Sequence, residues 1–416
     1  MPLTRQPSQP PEDDSQARPQ SYQPSGREVV RAEPLEEASR LHDRAVSLRA
    51  QGQYEEAASL SRQALAIFEA EAGPDHPDVA NVLHNLAGVY EDQGDYAEAE
   101  RLYRRSVEIM ERVTGGREVE MLRVQSLRNL AGIYRLQGRY AEAEPLFRRA
   151  LALAETALGR DHLETATCLN NLAVLYKYTG KFAEAERLYR RALAITERAL
   201  GSDHPEVAAI YHNLGGLEHA RGRYARGEPL ARRAVAIREK ALGPDHPEVA
   251  ADVAALAAIL DGQGKYDEAE ALYRRALAVF ERVFGQDHYE LAVIFNNLAA
   301  LYHAKSHDEE AEQLYRRALA IKERVLGAEH PDVAMSLNNL AVLYKAAGKY
   351  AEAEPLYQRA VAIFEHAFGP THPKAITCRQ NYAQLLREMQ RQAEAAAPES
   401  RVKRARTSRA RRTRKK

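Results

Sequence analysis

A repeat constrains this chain more than any other feature. A glycine, any residue and an aromatic recur at Gly52-Gln53-Tyr54, Gly94-Asp95-Tyr96, Gly138-Arg139-Tyr140, Gly180-Lys181-Phe182, Gly222-Arg223-Tyr224, Gly264-Lys265-Tyr266 and Gly348-Lys349-Tyr350. The step is 42 residues, except for 44 between Gly94 and Gly138, and the one missing slot holds Ser306-His307-Asp308 in register. A period of this length implies an array of similar units, each too small to bury its own apolar face alone. The two extra residues fall within 113–120, which is therefore expected to be a surface loop.

Each period reads as two helices around the Gly-x-aromatic turn. In one copy the first helix carries Leu337, Leu340, Ala341 and Tyr344, and the second carries Ala353, Leu356, Tyr357 and Ala360. Both sets follow the i, i+3, i+4, i+7 spacing of a single buried stripe. Gly348 suits the end of the first helix, and Pro373 suits the start of the next, where a missing N–H breaks no hydrogen bond. One first-helix position stays small throughout: Ala45, Ala87, Ala131, Ala173, Gly215, Ala257, Ala299, Ala341 and Ala383. Small side chains let helices approach while Leu and Tyr fill the space beside them. The expected architecture is all-α, an α-solenoid of stacked helix-turn-helix units.

The pattern LG-x-DHP-x-VA, as at Leu200 to Ala208, followed by NNLA-x-LY, as at Asn338 to Tyr344, resembles the tetratricopeptide repeat in its 42-residue, kinesin light chain-like form. The resemblance covers residues 36 to 395 and implies a right-handed superhelix of about eight repeats plus a C-terminal capping helix. Segments 1–35 and 396–416 are expected to be disordered, and the former holds prolines but no heptads. Only a repeat-borne, peptide-binding role therefore carries over from the resemblance. In such arrays the first helices line a concave groove that holds peptides.

Seven histidines occupy one position: His76, His162, His204, His246, His288, His330 and His372. A residue copied once per unit ahead of a helix reads as a folding signal rather than as a metal ligand or a general base. No HExxH, nucleophile elbow or phosphate-cradling glycine loop occurs, so no enzyme, cofactor or metal is expected. Cys168 and Cys378 share one first-helix position five units apart and read as small core fillers.

Asparagine is the sharper signal, because it is a middling helix former that recurs mid-helix. Asn85, Asn129, Asn171, Asn213, Asn297, Asn339 and Asn381 precede a buried Leu or Tyr, with Asn170, Asn296 and Asn338 beside three of them. Two readings stay open: each amide grips the backbone of a bound segment, or it braces neighbouring units. On the same face Arg135, Lys177 and Lys345 would favour a protein or peptide partner with acidic segments or a terminal carboxylate. Glu91, Asp92 and Asp261 lie at equivalent places, so the groove has mixed polarity.

Lys+Arg and Asp+Glu both total 59, yet the charge is uneven. Arg401, Lys403, Arg404, Arg406, Arg409, Arg411, Arg412, Arg414, Lys415 and Lys416 form a basic tail without one acid, behind an acidic body. That tail supports an alternative function, anchoring on nucleic acid or another anionic surface with steep salt dependence. No apolar run approaches a membrane span and no secretory signal is recognisable, so a cytoplasmic location is expected.

Overall fold

The computed structural model describes residues 26–391, with side chains from residue 33 onward. Helices follow one another in pairs: α1 (Gly26–Ala50) with α2 (Tyr54–Glu71), α3 (Pro77–Asp92) with α4 (Tyr96–Arg112), and α5 (Arg117–Leu136) with α6 (Tyr140–Leu153). Next come α7 (Leu163–Tyr178) with α8 (Phe182–Leu200), α9 (Pro205–Ala220) with α10 (Tyr224–Leu242), and α11 (Pro247–Gly262) with α12 (Tyr266–Phe284). The last pairs are α13 (Tyr289–Ala304) with α14 (Asp308–Leu326), and α15 (Pro331–Ala346) with α16 (Tyr350–Phe368). A ninth first helix, α17, runs over 373–391. A π-helical turn, Ala154–Leu158, extends α6, and no strand occurs among the described residues. The chain is an α-solenoid.

The apolar stripes are buried as their spacing requires. Ala87, Ala131, Ala173, Ala257, Ala299 and Ala341 of the first helices are fully buried, as are Ala99, Ala143, Ala185, Ala269, Ala311 and Ala353 of the second. Tyr103, Tyr189, Tyr273 and Tyr357 are among the largest fully buried side chains. Enlarging an alanine in this column would force paired helices apart.

Glycines between paired helices take the left-handed conformation, with φ of 73° at Gly348. In the degraded slot Ser306 adopts the same conformation at φ 64°, which an L side chain resists.

Two boundaries differ from expectation. Helix α1 is described from Gly26, inside the segment expected to be disordered. The two inserted residues do not lengthen a loop alone: α5 is 20 residues long where the other first helices from α3 to α15 have 16. The start of α5 has neither the proline nor the capping histidine of the other units, since its N-cap is Gly116 without a side-chain bond, and the extra residues wind into helix. Arg123 then closes the end of α4 by donating to the carbonyls of Met110 and Val113 at 2.7 Å and 2.5 Å.

The fifth pair departs from the pattern and compensates. Glu218 stands where Tyr is usual, is buried, and pairs with Arg221 at 3.0 Å and Arg226 at 3.5 Å. Gly227 faces Gly215 so closely that a Cβ on Gly227 would lie 3.3 Å from the Gly215 carbonyl oxygen.

The stack also curls until later units meet earlier ones. His330 Nε2 donates to the Leu136 carbonyl at 2.6 Å, and His372 Nε2 donates to the Tyr178 carbonyl at 3.1 Å, each across 194 residues. Tyr140 stacks on Phe368 with ring centroids 5.0 Å apart. The turns opening α15 and α17 thus rest on the ends of α5 and α7.

Candidate functional site

The seven repeated histidines are helix caps. The Nδ1 of His76, His162, His204, His246, His288, His330 and His372 accepts from the backbone N–H two residues on, at 3.1 to 3.3 Å. This satisfies a donor that the helix itself leaves free. An accepting Nδ1 places the proton on Nε2. Among the described residues no group of three or more His, Cys, Asp or Glu is arranged to hold a metal ion. Cys168 and Cys378 are buried free thiols whose pKa burial raises to about 12, which keeps them unreactive.

The asparagines form a ladder between neighbouring units. Asn213 Nδ2 donates to Asn170 Oδ1 at 3.0 Å, Asn339 to Asn296 at 3.4 Å and Asn381 to Asn338 at 3.1 Å, each reaching back 43 residues. Asn85 makes the equivalent contact with His42 Nε2 at 3.1 Å, and Asn129 reaches His84 Nε2 at 3.5 Å and the Tyr103 hydroxyl at 3.3 Å. Two members lack this rung for visible reasons. The residue 43 before Asn171 is Arg128, committed to Glu164 and Asn129, and the residue 43 before Asn297 is Ala254. Asn297 lies instead against the Tyr273 hydroxyl. Geometry therefore separates braced amides from Asn171, whose side chain makes no hydrogen bond among the described residues.

A second column on this inner face carries charge. It runs Arg49, Glu91, Arg135, Lys177, His219, Asp261, His303 and Lys345 at the repeat spacing. Arg49 pairs with Asp92 at 2.6 Å, Glu91 accepts from the Tyr103 hydroxyl at 3.0 Å, and His303 meets Asp308 at 2.7 Å. Arg135, Lys177 and Lys345 are half-buried and have no ion pair among the described residues. Burial, with Arg135 and Lys374 nearby, lowers the Lys177 pKa to about 8. Burial alone raises Asp261 to about 6. Residues from across the turn converge here: Tyr289 donates to Asp332 at 2.6 Å, and the Lys374 ammonium lies 5.7 Å from the Tyr178 ring centroid. Burial raises the Tyr178 pKa to about 12, with Asp332 and Glu290 adding to it and Arg135 opposing.

Sequence reasoning missed a set of buried polar couples between units. Arg238 and Asp252 are both buried, with Nη1 and Oδ1 3.0 Å apart, and His212 Nδ1 lies 2.7 Å from the same Oδ1. Two units on, buried Lys322 donates to Ser336 at 3.1 Å, and Ser336 to Asn296 at 3.3 Å. The signal was present, since Arg238 occupies the slot of Phe280 and Phe364, and Asp252 that of Ile210 and Ile294. The basic tail candidates, residues 401–416, lie outside the described residues.

A model of the tetratricopeptide repeat matches residues 36–112, 122–198, 178–226, 206–281, 250–324, 309–366 and 332–408. No curated protein matches the chain. Among solved structures, the chain is 29% identical to BtubC (BKLC) from P. vanneervenii over 57% of its own length and 93% of that protein's, with a TM-score of 0.40. It is also 29% identical to kinesin light chain-type TPR-like repeats from Podospora anserina, over 49% of this chain and 97% of that one, with a TM-score of 0.38. A Rap protein complexed with competence and sporulation factor is 17% identical over 82% of this chain and 98% of its own, and its TM-score of 0.58 shows a shared fold. The matched repeat runs through most of the sequence, and the chain belongs to the tetratricopeptide repeat family.

Proposed function

We propose that this array is a non-catalytic scaffold whose inner face holds a peptide or a segment of a partner protein, acting in the cytoplasm. The observation that carries the reading is a cluster left open by its surroundings. Arg135 on α5 and Asn171 and Lys177 on α7 have no ion pair or side-chain hydrogen bond among the described residues, Lys177 lying 5.5 Å from the Tyr178 ring centroid, on a face where Arg49, Glu91 and His303 are paired. The Tyr189 hydroxyl is buried and unbonded, as are those of Tyr273 and Tyr357 in later units. Two cations and an amide favour a carboxylate flanked by peptide backbone. Asp261, two units along, would suit a basic residue of the same segment.

The test is a displayed library of unstructured peptides screened against the full chain. Enrichment of acidic peptides that falls at least about tenfold in Arg135→Ala/Lys177→Ala, a loss of about 1.4 kcal/mol, supports the reading. An acidic preference that is absent, or that survives this substitution, refutes it. A second reading rests on the ten basic residues of 401–416 as an anchor on nucleic acid. Its support would be binding to duplex DNA that vanishes on deleting 401–416 and weakens steeply with salt.

A further inference from the structure

The contacts between distant turns bear on how the inner face is reached. We propose that the array is a latched ring: the caps His330 and His372 hold later units onto the ends of α5 and α7, and access to the inner face requires that latch to release. The access clause rests on reading the inner face as the binding surface, whereas the latch itself does not.

Each latch histidine uses both ring nitrogens. Nδ1 accepts from the N–H of Asp332 or Lys374 at 3.1 Å, capping α15 or α17, and the proton this leaves on Nε2 is donated across the seam. The acceptors are the carbonyls of Leu136 and Tyr178, the final residues of α5 and α7. The last carbonyls of a helix have no partner within it and carry its negative end. Each latch therefore joins the positive start of one helix to the negative end of another. At His204 and His246 the same capping bond forms, but among the described residues neither ring makes a hydrogen bond to a distant unit.

Packing follows the same seam. Phe368 lies between Tyr140, 5.0 Å away, and His372, 4.1 Å away, and Tyr140 also stacks on Tyr178 at 6.0 Å. Pro331 comes so close to Gly138 that a Cβ there would lie 2.8 Å from Pro331 Cδ. Gly222 has the same left-handed backbone, and a Cβ there would meet nothing within 4 Å. The seam repeats once among the described residues, at a spacing of 42 residues: two hydrogen bonds, a short aromatic stack, the Lys374 ammonium over the Tyr178 ring, and Pro331 and Pro373 against Gly138 and Gly180. So small an interface can open without unfolding the helix pairs it joins.

Two matched pairs of variants of the full chain test this. His330→Asn/His372→Asn keeps a good capping side chain but is too short to reach across, and His204→Asn/His246→Asn makes the same change away from the seam. Gly138→Asn introduces a side chain against Pro331, and Gly222→Asn carries the same backbone penalty in open space. The readouts are the radius of gyration by small-angle X-ray scattering and the acylation rate of Lys177 by acetic anhydride, mapped by mass spectrometry. Both seam variants are expected to expand and to label Lys177 several-fold faster, with helicity retained and both controls matching the parent chain. Equal radii in seam and control variants overturn the latch. Expansion with unchanged Lys177 labelling overturns the gate. Neither outcome depends on which peptides the inner face binds.

Discussion

Arg238→Ala removes one half of a buried couple and leaves Asp252 without its cation. Asp252 is 1% exposed and Arg238 7%, and their contact at 3.0 Å is supported by His212 and by the Glu248 carbonyl, 3.3 Å from Arg238 Nη1. Breaking such a pair from one side typically costs about 3 to 5 kcal/mol, because the orphaned charge stays in a poorly solvated place. Removing both halves in favour of well-packed apolar residues is instead neutral, or stabilising by about 1 to 4 kcal/mol. The neighbouring units supply the replacements, Phe at the Arg238 slot and Ile at the Asp252 slot. The prediction is therefore that Arg238→Ala is strongly destabilising and that Arg238→Phe/Asp252→Ile is at least as stable as the parent. Urea unfolding followed by circular dichroism gives the midpoint and slope, and hydrogen exchange in α10 and α11 localises the change. A single substitution that costs under about 1 kcal/mol, or a double substitution as damaging as the single, would show that desolvation does not govern this interface.

Three further outcomes can be measured. Ser306→Gly should raise stability by about 1 kcal/mol by relieving the left-handed backbone, and an unchanged or lower melting temperature would contradict that assignment. Asn339→Ala should cost about 1 kcal/mol by removing a rung to Asn296, whereas Asn171→Ala should be nearly neutral; equal costs would mean the ladder does not brace the stack. Burial lowers the His84 pKa to about 3, with Arg128, Arg49 and His42 adding to it. The unfolded chain takes up this proton near pH 6.5 and the folded chain does not, so the stability it contributes is complete above pH 6.5. It drains by roughly 1.4 kcal/mol per unit as pH falls towards 3. His84→Gln should flatten the dependence between pH 6.5 and 5.5, and a slope identical to the parent's would refute the assignment.

Much of the fold was readable from spacing alone, and for a physical reason. Helix pairs are specified locally: Leu337 to Tyr344 define a stripe, Gly348 ends it, and His372-Pro373 opens the next helix. The bracing of Asn213 is encoded jointly with Asn170, 43 positions earlier, because a rung needs two ends. Arg238 and Asp252 were visible as breaks in an apolar column, yet each alone resembles surface variation. Only their meeting in one interface explains both. The contact between His330 and Leu136 had no local signature at all. It arises from small rotations summed over more than four units, and no single residue encodes that sum.

A linear stack would have a stability close to the sum of its neighbouring interfaces, and its two ends would be independent. The seam between residues 136–178 and 330–372 breaks that independence, because it adds links between parts of the chain 194 residues apart. Truncation at the C-terminal end should therefore loosen the third and fourth helix pairs, which a purely one-dimensional array would leave untouched. Folding gains a slow final step as well, since these ends can meet only after the intervening units have assembled with the correct cumulative twist. A deletion of one whole 42-residue unit between the two sides of the seam would keep the remaining helix pairs and still misalign this closure, so the closure ties the chain to one number of intervening units.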